Sequence, residues 1–447
     1  MGVGPGVKAL VGGTVLCALV AGCTTSDSER NTAPTPSPVT SSSAPPEPVT
    51  ITLAVYGDEG YLAAYDALVD AFTDDHPHVT VELETYDDAD DMMQAVRGAD
   101  APDVFLMDQG HLPQLVKQKL VQPVDAMLEE RQVDFGDGYQ RGGLTAFAAD
   151  ARLQCMPHDV SPLVVYYNQD LVDLGRLGEV EDTPANPLDG WTWEMFTAAA
   201  RQASRGPESG VFIEPSLTSL APFVWSVGGD IVDDPQAPTT LTLSAGDSRE
   251  ALEQVLALVR DPDVTPTGAE LEKQDAVKRF TRGKLGMILG TRALTPGFRD
   301  AADLRFDVMP LPSLGRFRTV SDMTGYCISS STEEVEAAGD LLAFAVSREG
   351  AAITTRDCYV VPSNLEVANS AVFLQESRQP ASSFIFNEGV RRTQPLPFHT
   401  AWPELTEQVA PDLDRMFYAP VIDLDTMLED IDADSARVLA PAEPAEE

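Results

Sequence analysis

The sequence predicts an α/β protein built as two lobes. Three observations lead there. The stretch from Val49 to Gln109 alternates strand-like and helix-like patterns, as a largely parallel sheet flanked by helices requires. Of the 447 residues, about 400 follow a leader and a polar segment, which suggests two folding units at the usual ~100–200 residues each. Hydrophobic residues make up 43% of the chain, enough for sizeable cores, and no run beyond the leader approaches the ~20 apolar residues of a membrane-spanning helix.

At the start, Lys8 precedes the apolar stretch Ala9–Cys23, which is short for a bilayer span and ends in small residues, as a secretory signal does. Val20, Ala21, Gly22 and Cys23 resemble a bacterial lipobox. That resemblance implies a signal peptide over 1–22 and acylation of Cys23, which would hold the protein on a membrane without spanning it. The next segment, Thr24–Pro48, holds 11 Ser or Thr and 6 Pro. It cannot bury enough apolar surface to offset its ordering entropy, so 23–48 reads as a lipidated cysteine followed by a tether.

Folded structure then begins abruptly. Val49, Ile51, Leu53 and Val55 alternate along a strand that Gly57 stops. Tyr61, Tyr65, Leu68 and Phe72 recur at helical spacing, and Pro77 ends that helix. Val79, Val81 and Leu83 give a second strand. "DDADDMMQAVRG" reads as a helix with acids at its favourable N-terminal end and Gly98 at its close. "PDVFLMDQG" is a continuously apolar strand, as expected when both its faces are covered. In such sheets ligands collect at the carboxyl ends of strands, which here carry Tyr56, Gly57, Asp58, Asp108 and Gln109.

The stretch "LQCMPHDVSPLVVYYNQDL", Leu153–Leu171, places a thiol, an imidazole and a carboxylate within five residues. Those are the parts of a nucleophilic site. Yet Cys155 and His158 flank Pro157 on an extended strand, where alternation gives them no reason to meet. Apolar surroundings with acids nearby also disfavour the thiolate. Further on, the period of two sends Tyr166 and Tyr167 to opposite faces, both as core residues. Trp191 and Trp193 open a helix as packing residues, and Trp402 reads as structural. The segments "EEVEAAGDLLAFAVSREGAAI" and Ala401–Leu439 read as helices.

Charge and motifs exclude several functions. The formal net charge is −41, which opposes nucleic-acid binding and flat docking on anionic lipid. Among five histidines, His76 and His78 are the only close pair, and no Cys/His cluster has zinc spacing. No G-x-S-x-G, P-loop or H-E-x-x-H occurs in the folded part. No metal or cofactor is expected. Once Cys17 leaves with the signal and Cys23 is acylated, Cys155, Cys327 and Cys358 remain, enough for one bridge and one free thiol.

The order of "FTDDHPHVTVE", "GADAPDVFLMD", "MPHDVSPLVVYYNQDL", "WTWEMF", "SVGGDIVD", "FTRGKLGMILG", "VMPLPSLG", "TGYCISSST", "YVVPSN" and "PFHTAWPEL" resembles the extracellular solute-binding proteins of bacterial ABC importers. The likeness is to the carbohydrate-binding, maltose-binding-protein-like family and runs from Val49 to about Leu439. It implies a periplasmic-binding-protein-like fold of type II: two α/β lobes, hinge-crossing strands and a ligand cleft. The first lobe would comprise 49–156 plus about 327–360, and the second 157–326 plus about 361–440. It implies a monomeric, membrane-anchored receptor on the extracytoplasmic face that carries a sugar or oligosaccharide to permease subunits without altering it. The competing readings are an extracellular carbohydrate-active enzyme using paired carboxylates and a sensory or adhesive binding lipoprotein.

Sugar sites pair aromatic faces with polar groups that bind hydroxyls. The candidates are therefore Tyr56 and Asp58 after the first strand, Asp108 after the third, and His158 with Asp159 at the predicted crossing. In "VWSVGGD" the resemblance implies that Trp225 stacks on ligand while Gly228 and Gly229 let backbone approach. Arg292 could hold a hydroxyl pair or, bidentately, a carboxylate, and Tyr326 could stack. The resemblance also pairs the crossing strand at Cys155 with the returning one at Cys327, so these two could form a disulfide, with Cys358 as the alternative partner for either.

Overall fold

A computed structural model describes residues 47–179 and 191–440. The predicted signal peptide, Cys23 and nearly all of the tether lie outside those residues. Twelve strands are described, in chain order β1 Val49–Tyr56, β2 Val79–Tyr86, β3 Val104–Asp108, β4 Val121–Gln122, β5 Ala148–Ala149, β6 Arg152–Leu153, β7 Cys155–Pro162, β8 Val164–Asn168, β9 Ser209–Phe212, β10 Leu285–Gly290, β11 Phe306–Met309 and β12 Ser321–Ser329.

They build two principal sheets, one per lobe. The first runs β2-β1-β3-β12-β4, with β7 also paired to β12; the second runs β11-β8-β10-β9. Strands β2, β1 and β3 are parallel, as the strand–helix alternation of the first 60 folded residues predicts. Apart from β9 and β10, which are also parallel, the remaining pairings depart from a largely parallel sheet. β12 runs antiparallel to β3, β4 and β7, and β8 runs antiparallel to β10 and β11. The physical reason is that β12 returns from the other lobe instead of following a crossover helix within its own.

The helix Glu59–Asp75 buries Ala64, Tyr65, Leu68 and Phe72 against the first sheet, one stripe at 3.6-residue spacing. Asp88 caps the next helix, Ala89–Val96, by accepting from the Asp91 amide at 2.9 Å, which satisfies an N–H that the helix cannot. β3 is buried along Val104–Met107, as its unbroken apolar run requires. In the second lobe Thr192 caps the helix Trp193–Ala203, and Trp191 donates from Nε1 to the Pro310 carbonyl at 2.9 Å. Tyr166 and Tyr167 do split across β8. Tyr166 packs with Phe298 and Phe306 on one face, while Tyr167 joins the core of Trp191, Phe196 and Phe223 on the other. Each fully buried ring contributes roughly 1.5–3 kcal/mol of apolar transfer energy.

The chain passes between the lobes more than once. Leu163 alone separates β7 of the first sheet from β8 of the second, and the segment from Pro310 to Val320 leads back from β11 to β12. The two passages touch, with the Leu163 amide donating to the Val320 carbonyl at 2.9 Å. A later stretch returns past them: Pro362 bridges to Asp159 and Thr393 to Thr319, before the helices Trp402–Tyr418 and Leu424–Leu439 close the second core.

Where β7 and β12 run side by side, Cys155 and Cys327 sit opposite each other and are joined as a disulfide, with Cα atoms 4.4 Å apart. Cys358 is a buried free thiol. The bridge closes a loop of 172 residues, so it removes much freedom from the unfolded chain. Replacing both cysteines with serine is predicted to cost about 2–5 kcal/mol of stability, read by urea denaturation under non-reducing conditions. Mass spectrometry of the unreduced protein should show Cys155 linked to Cys327; three reactive thiols would contradict this arrangement.

Candidate functional site

Three adjoining cavities of about 590, 360 and 210 Å³ lie between the two sheets, and Asp322 lines all of them. The first lobe contributes Tyr56, Asp58, Tyr61, Asp108 and Gln109 from the ends of β1 and β3 and the helix starts that follow. The second contributes Phe212, Glu214, Ser219 and Thr291 from beyond β9 and β10. The floor is the crossing pair itself, with Asp159 and Ser161 from β7 and Asp322 and Thr324 from β12. Of the four large hydrophobic side chains left exposed among the described residues, two face this cleft, Phe398 at 37% and Val277 at 40%. Tyr359 and Trp402 complete the aromatic walls.

Asp159 is only 3% exposed. Its carboxylate accepts from the Ser161 hydroxyl at 2.6 Å, the Thr324 amide at 3.0 Å and the Thr324 hydroxyl. Burial pushes its pKa up to about 6, against the pull of those hydrogen bonds, because a charge without nearby water is costly. Asp322 has no side-chain hydrogen-bond partner among the described residues and opens to the cleft. Desolvation first, and then the charges of Asp159, Asp108 and Glu214, raise it to about 7. Tyr56 beside them is also raised well above its usual range, by burial and then by Asp108.

Asp108 ends β3 and works locally as a cap. It accepts from the His111 amide at 3.2 Å and from His111 Nδ1 at 2.7 Å. His111 Nε2 meets Asp90 at 3.1 Å. Burial works against charge on this imidazole, but hydrogen bonds and attraction from Asp108 and Asp90 outweigh it and lift its pKa to about 9. Asp58 precedes the helix Glu59–Asp75 without any side-chain cap bond, so its carboxylate is left for the cavity it lines.

Six of the sequence-predicted residues lie elsewhere. His158 is the extra residue where the β7–β12 register shifts between Thr324 and Gly325. Its ring packs near Tyr65 and Tyr326 at 4% exposure, and burial lowers its pKa to about 3, which keeps it neutral. Tyr326 is fully buried, with its ring set edge-on against His158. Trp225 is 3% exposed in the second core and donates from Nε1 to Asp230 at 3.0 Å, because the helix Leu217–Val227 turns it inward. Gly228 ends that helix at φ +100°, a left-handed cap position that favours glycine; a Cβ on Gly229 would collide with Ser248 Oγ at 2.8 Å. Both glycines thus serve the cap and its packing. Arg292 is fully buried, bonded to the Phe373 carbonyl at 2.8 Å and stacked over the Phe373 and Phe386 rings.

Sequence reasoning missed Asp322, Glu214, Tyr359, Phe398 and His111, and it placed Trp402 as purely structural. Trp402 is indeed core-packed, yet one edge lines the cleft. The signals were slight. Alternation pairs Asp322 with Thr324 on one face, and the i, i+3 spacing of Asp108 and His111 suits a helix-start pair. Among the described residues, no group of three or more His, Cys, Asp or Glu is arranged to hold a metal ion.

The family model described as bacterial extracellular solute-binding protein matches residues 67–379. A putative binding protein of Brucella abortus is 21% identical over 387 residues, covering 84% of this chain and 89% of its own length. An ABC substrate-binding protein of Listeria monocytogenes, solved with cycloalternan, superposes with a TM-score of 0.76 at 21% identity, covering 88% of this chain and 99% of that one. A maltose-bound protein of T. maritima gives 0.70 at 17% identity, with coverage of 88% and 99%. At these identities the structural matches establish the two-lobed fold.

The His111 pair yields a pH test. The pKa in the folded protein, about 9, lies above the ordinary 6.5. Its contribution is therefore fully present below pH 6.5 and lost as pH rises through 9. The stability gap between the native chain and His111→Gln should be roughly 1–3 kcal/mol at pH 6 and should narrow by pH 10. A gap independent of pH would show that the imidazole is not charged.

Proposed function

This chain belongs to the family of bacterial extracellular solute-binding proteins, and from that premise we propose that it binds a sugar or oligosaccharide between its lobes and carries it, unaltered, to an ABC permease. The observation that supports this most is the composition of the cleft. Aromatic faces from Tyr56, Tyr359, Phe398 and Trp402 stand beside carboxylates and hydroxyls from both lobes. Sugars present an apolar ring face and a rim of hydroxyls, and they need both kinds of contact. The relatives solved with cycloalternan and with maltose favour the same class.

The mechanism follows from the placement of the half-sites. Asp58, Asp108 and Tyr56 belong to one lobe, Glu214 and Thr291 to the other, and Asp159 and Asp322 to the strands between. A ligand that satisfies both halves at once favours the closed arrangement over the open one, since it gains differential contacts only there. The bend falls on the passages at Leu163 and Pro310–Val320 and on the later stretch that runs past them. A permease that recognises the closed shape then reads occupancy. No helix among the described residues is long and apolar enough to cross a membrane. A lipid on Cys23 and the tether beyond it supply the membrane attachment in this proposal, with the receptor acting as a monomer on the extracytoplasmic face.

One observation favours a second reading. The neighbouring carboxyls of Asp159 and Asp322 are raised to about 6 and about 7, which would suit an acid and a base in glycoside hydrolysis. A thermal-shift screen of the purified chain against mono- and oligosaccharides separates the two. The carrier reading predicts stabilisation that grows with ligand concentration, recovery of intact sugar, and at least tenfold weaker binding in Trp402→Ala. Cleaved sugar would contradict it.

A further inference from the structure

The cleft is charged on one side only. Asp58, Asp108, Asp159, Glu214, Asp275 and Asp322 line its three cavities, and among the described residues no Lys, Arg or His lines them. Two of these acids are already matched from behind: Asp108 by His111 and Asp275 by Lys278 at 2.8 Å. The other four, Asp58, Asp159, Glu214 and Asp322, have no cationic partner among the described residues. The chain as a whole is acidic, with 71 Asp and Glu against 30 Lys and Arg, so excess acid alone would mean little. The surface cavities away from the cleft, however, do carry arginine, as around Arg176, Arg205 and Arg305.

More telling is where the nearest bases go. Arg292 lies between Thr291 and Ala293, and both neighbours line the cleft. Its own side chain instead turns to the opposite side, where it is fully buried with Nε and Nη1 unpaired. That is a costly way to place a guanidinium. His158 directly precedes Asp159 and is likewise turned into the core and held neutral. The fold thus keeps both adjacent bases out of the cavity while leaving four carboxylates facing it.

We propose that the ligand of this cleft is a carbohydrate bearing a protonated amine, whose ammonium is held by Asp322 with Glu214 and Asp159 while its ring stacks on the aromatic walls. This rests on the carbohydrate-carrier reading above and narrows its substrate class. A neutral sugar would leave four carboxylates crowded and desolvated by closure, whereas an ammonium among them offsets their repulsion. A phosphorylated or carboxylated sugar would be repelled. The raised carboxyl of Asp322, pushed up by burial and then by the charges of Asp159, Asp108 and Glu214, agrees with such crowding, since a cation entering would favour its charged form. The cavities and the exposed faces of Phe398 and Val277 identify the site independently of charge; the charge decides only what enters it.

Calorimetric titration of the full chain at pH 7 and low salt tests this with matched probes: glucosamine, N-acetylglucosamine and glucose, and the β-1,4 glucosamine trimer beside its N-acetylated form. The proposal predicts that the amine member of at least one set binds tenfold or more tightly than its neutral partners. That advantage should fall at least fivefold in Asp322→Asn and shrink when salt is raised to 0.5 M. Glu214→Gln, at an exposed position, should show the same trend and guards against a folding defect in the first variant. Equal or tighter binding of the neutral member in both sets would overturn this inference and leave the carrier reading standing. An amine preference unchanged in both variants would overturn it too. If spermidine binds while every sugar is silent, or if no probe binds, the inference and the carbohydrate reading fall together.

Discussion

The antiparallel pairing of β7 with β12 is the constraint on which the rest of the molecule depends. It is one of the broadest strand contacts in the chain, running from Ser321–Pro162 to Cys327–Cys155, and it lies where the polypeptide passes from one lobe to the other. Its far end is fixed by the disulfide. Its near end forms the floor of the cleft, because the register sets Asp159 opposite Thr324 and leaves Asp322 two residues further towards the second lobe. If that register moved by one residue, the side chains of the floor would exchange faces. The aspartates would then enter the core, and the apolar residues between them would meet the ligand. Locking one end covalently while the other forms the cleft floor keeps the two sides of the cleft aligned.

Much of this was legible in the sequence because it rests on short-range periodicity. The period of two along Val49–Val55 and the 3.6-residue stripe of Tyr65, Leu68 and Phe72 each encode one buried face. The apolar run in β3 encodes two. Strand ends could be located from Gly57 and from Asp108, so Tyr56, Asp58 and Asp108 fall where a ligand can reach them. What stayed hidden depends on long-range geometry. Trp225 beside two glycines reads equally well as a stacking platform and as the last inward turn of a helix with its cap, and only packing on the second core separates the two. Arg292 lies between two cleft residues, and nothing local says which way a short turn will aim it. His158 and Asp159 are neighbours whose fates diverge because the strand bulges between them. Asp322 comes from a segment more than 160 residues away from Asp159, and the pairing of distant strands is not written in either one.

The site shows how burial and charge compete when a protein prepares a polar cavity. Asp159 is nearly sealed and keeps three hydrogen-bond donors around it; Asp322 is open and has none. Both end up with raised pKa values, one by losing water and the other also by facing like charges. His111 shows the opposite outcome, where two carboxylates overcome desolvation and keep an imidazolium in place behind Asp108. An arrangement of this kind sets like charges against one another in the cleft, and a ligand of suitable charge would relieve their repulsion on binding. Stability and binding are then two readings of the same electrostatics.

The account stands or falls on whether one ligand meets both lobes at once. A crystal structure of the chain saturated with its tightest-binding sugar measures that directly. The predicted result is one molecule in the cleft, within hydrogen-bond distance of Asp322, contacting Tyr56 or Asp108 on one side and Glu214 or Thr291 on the other. Density confined to a single lobe, or lying outside the cleft altogether, would contradict it.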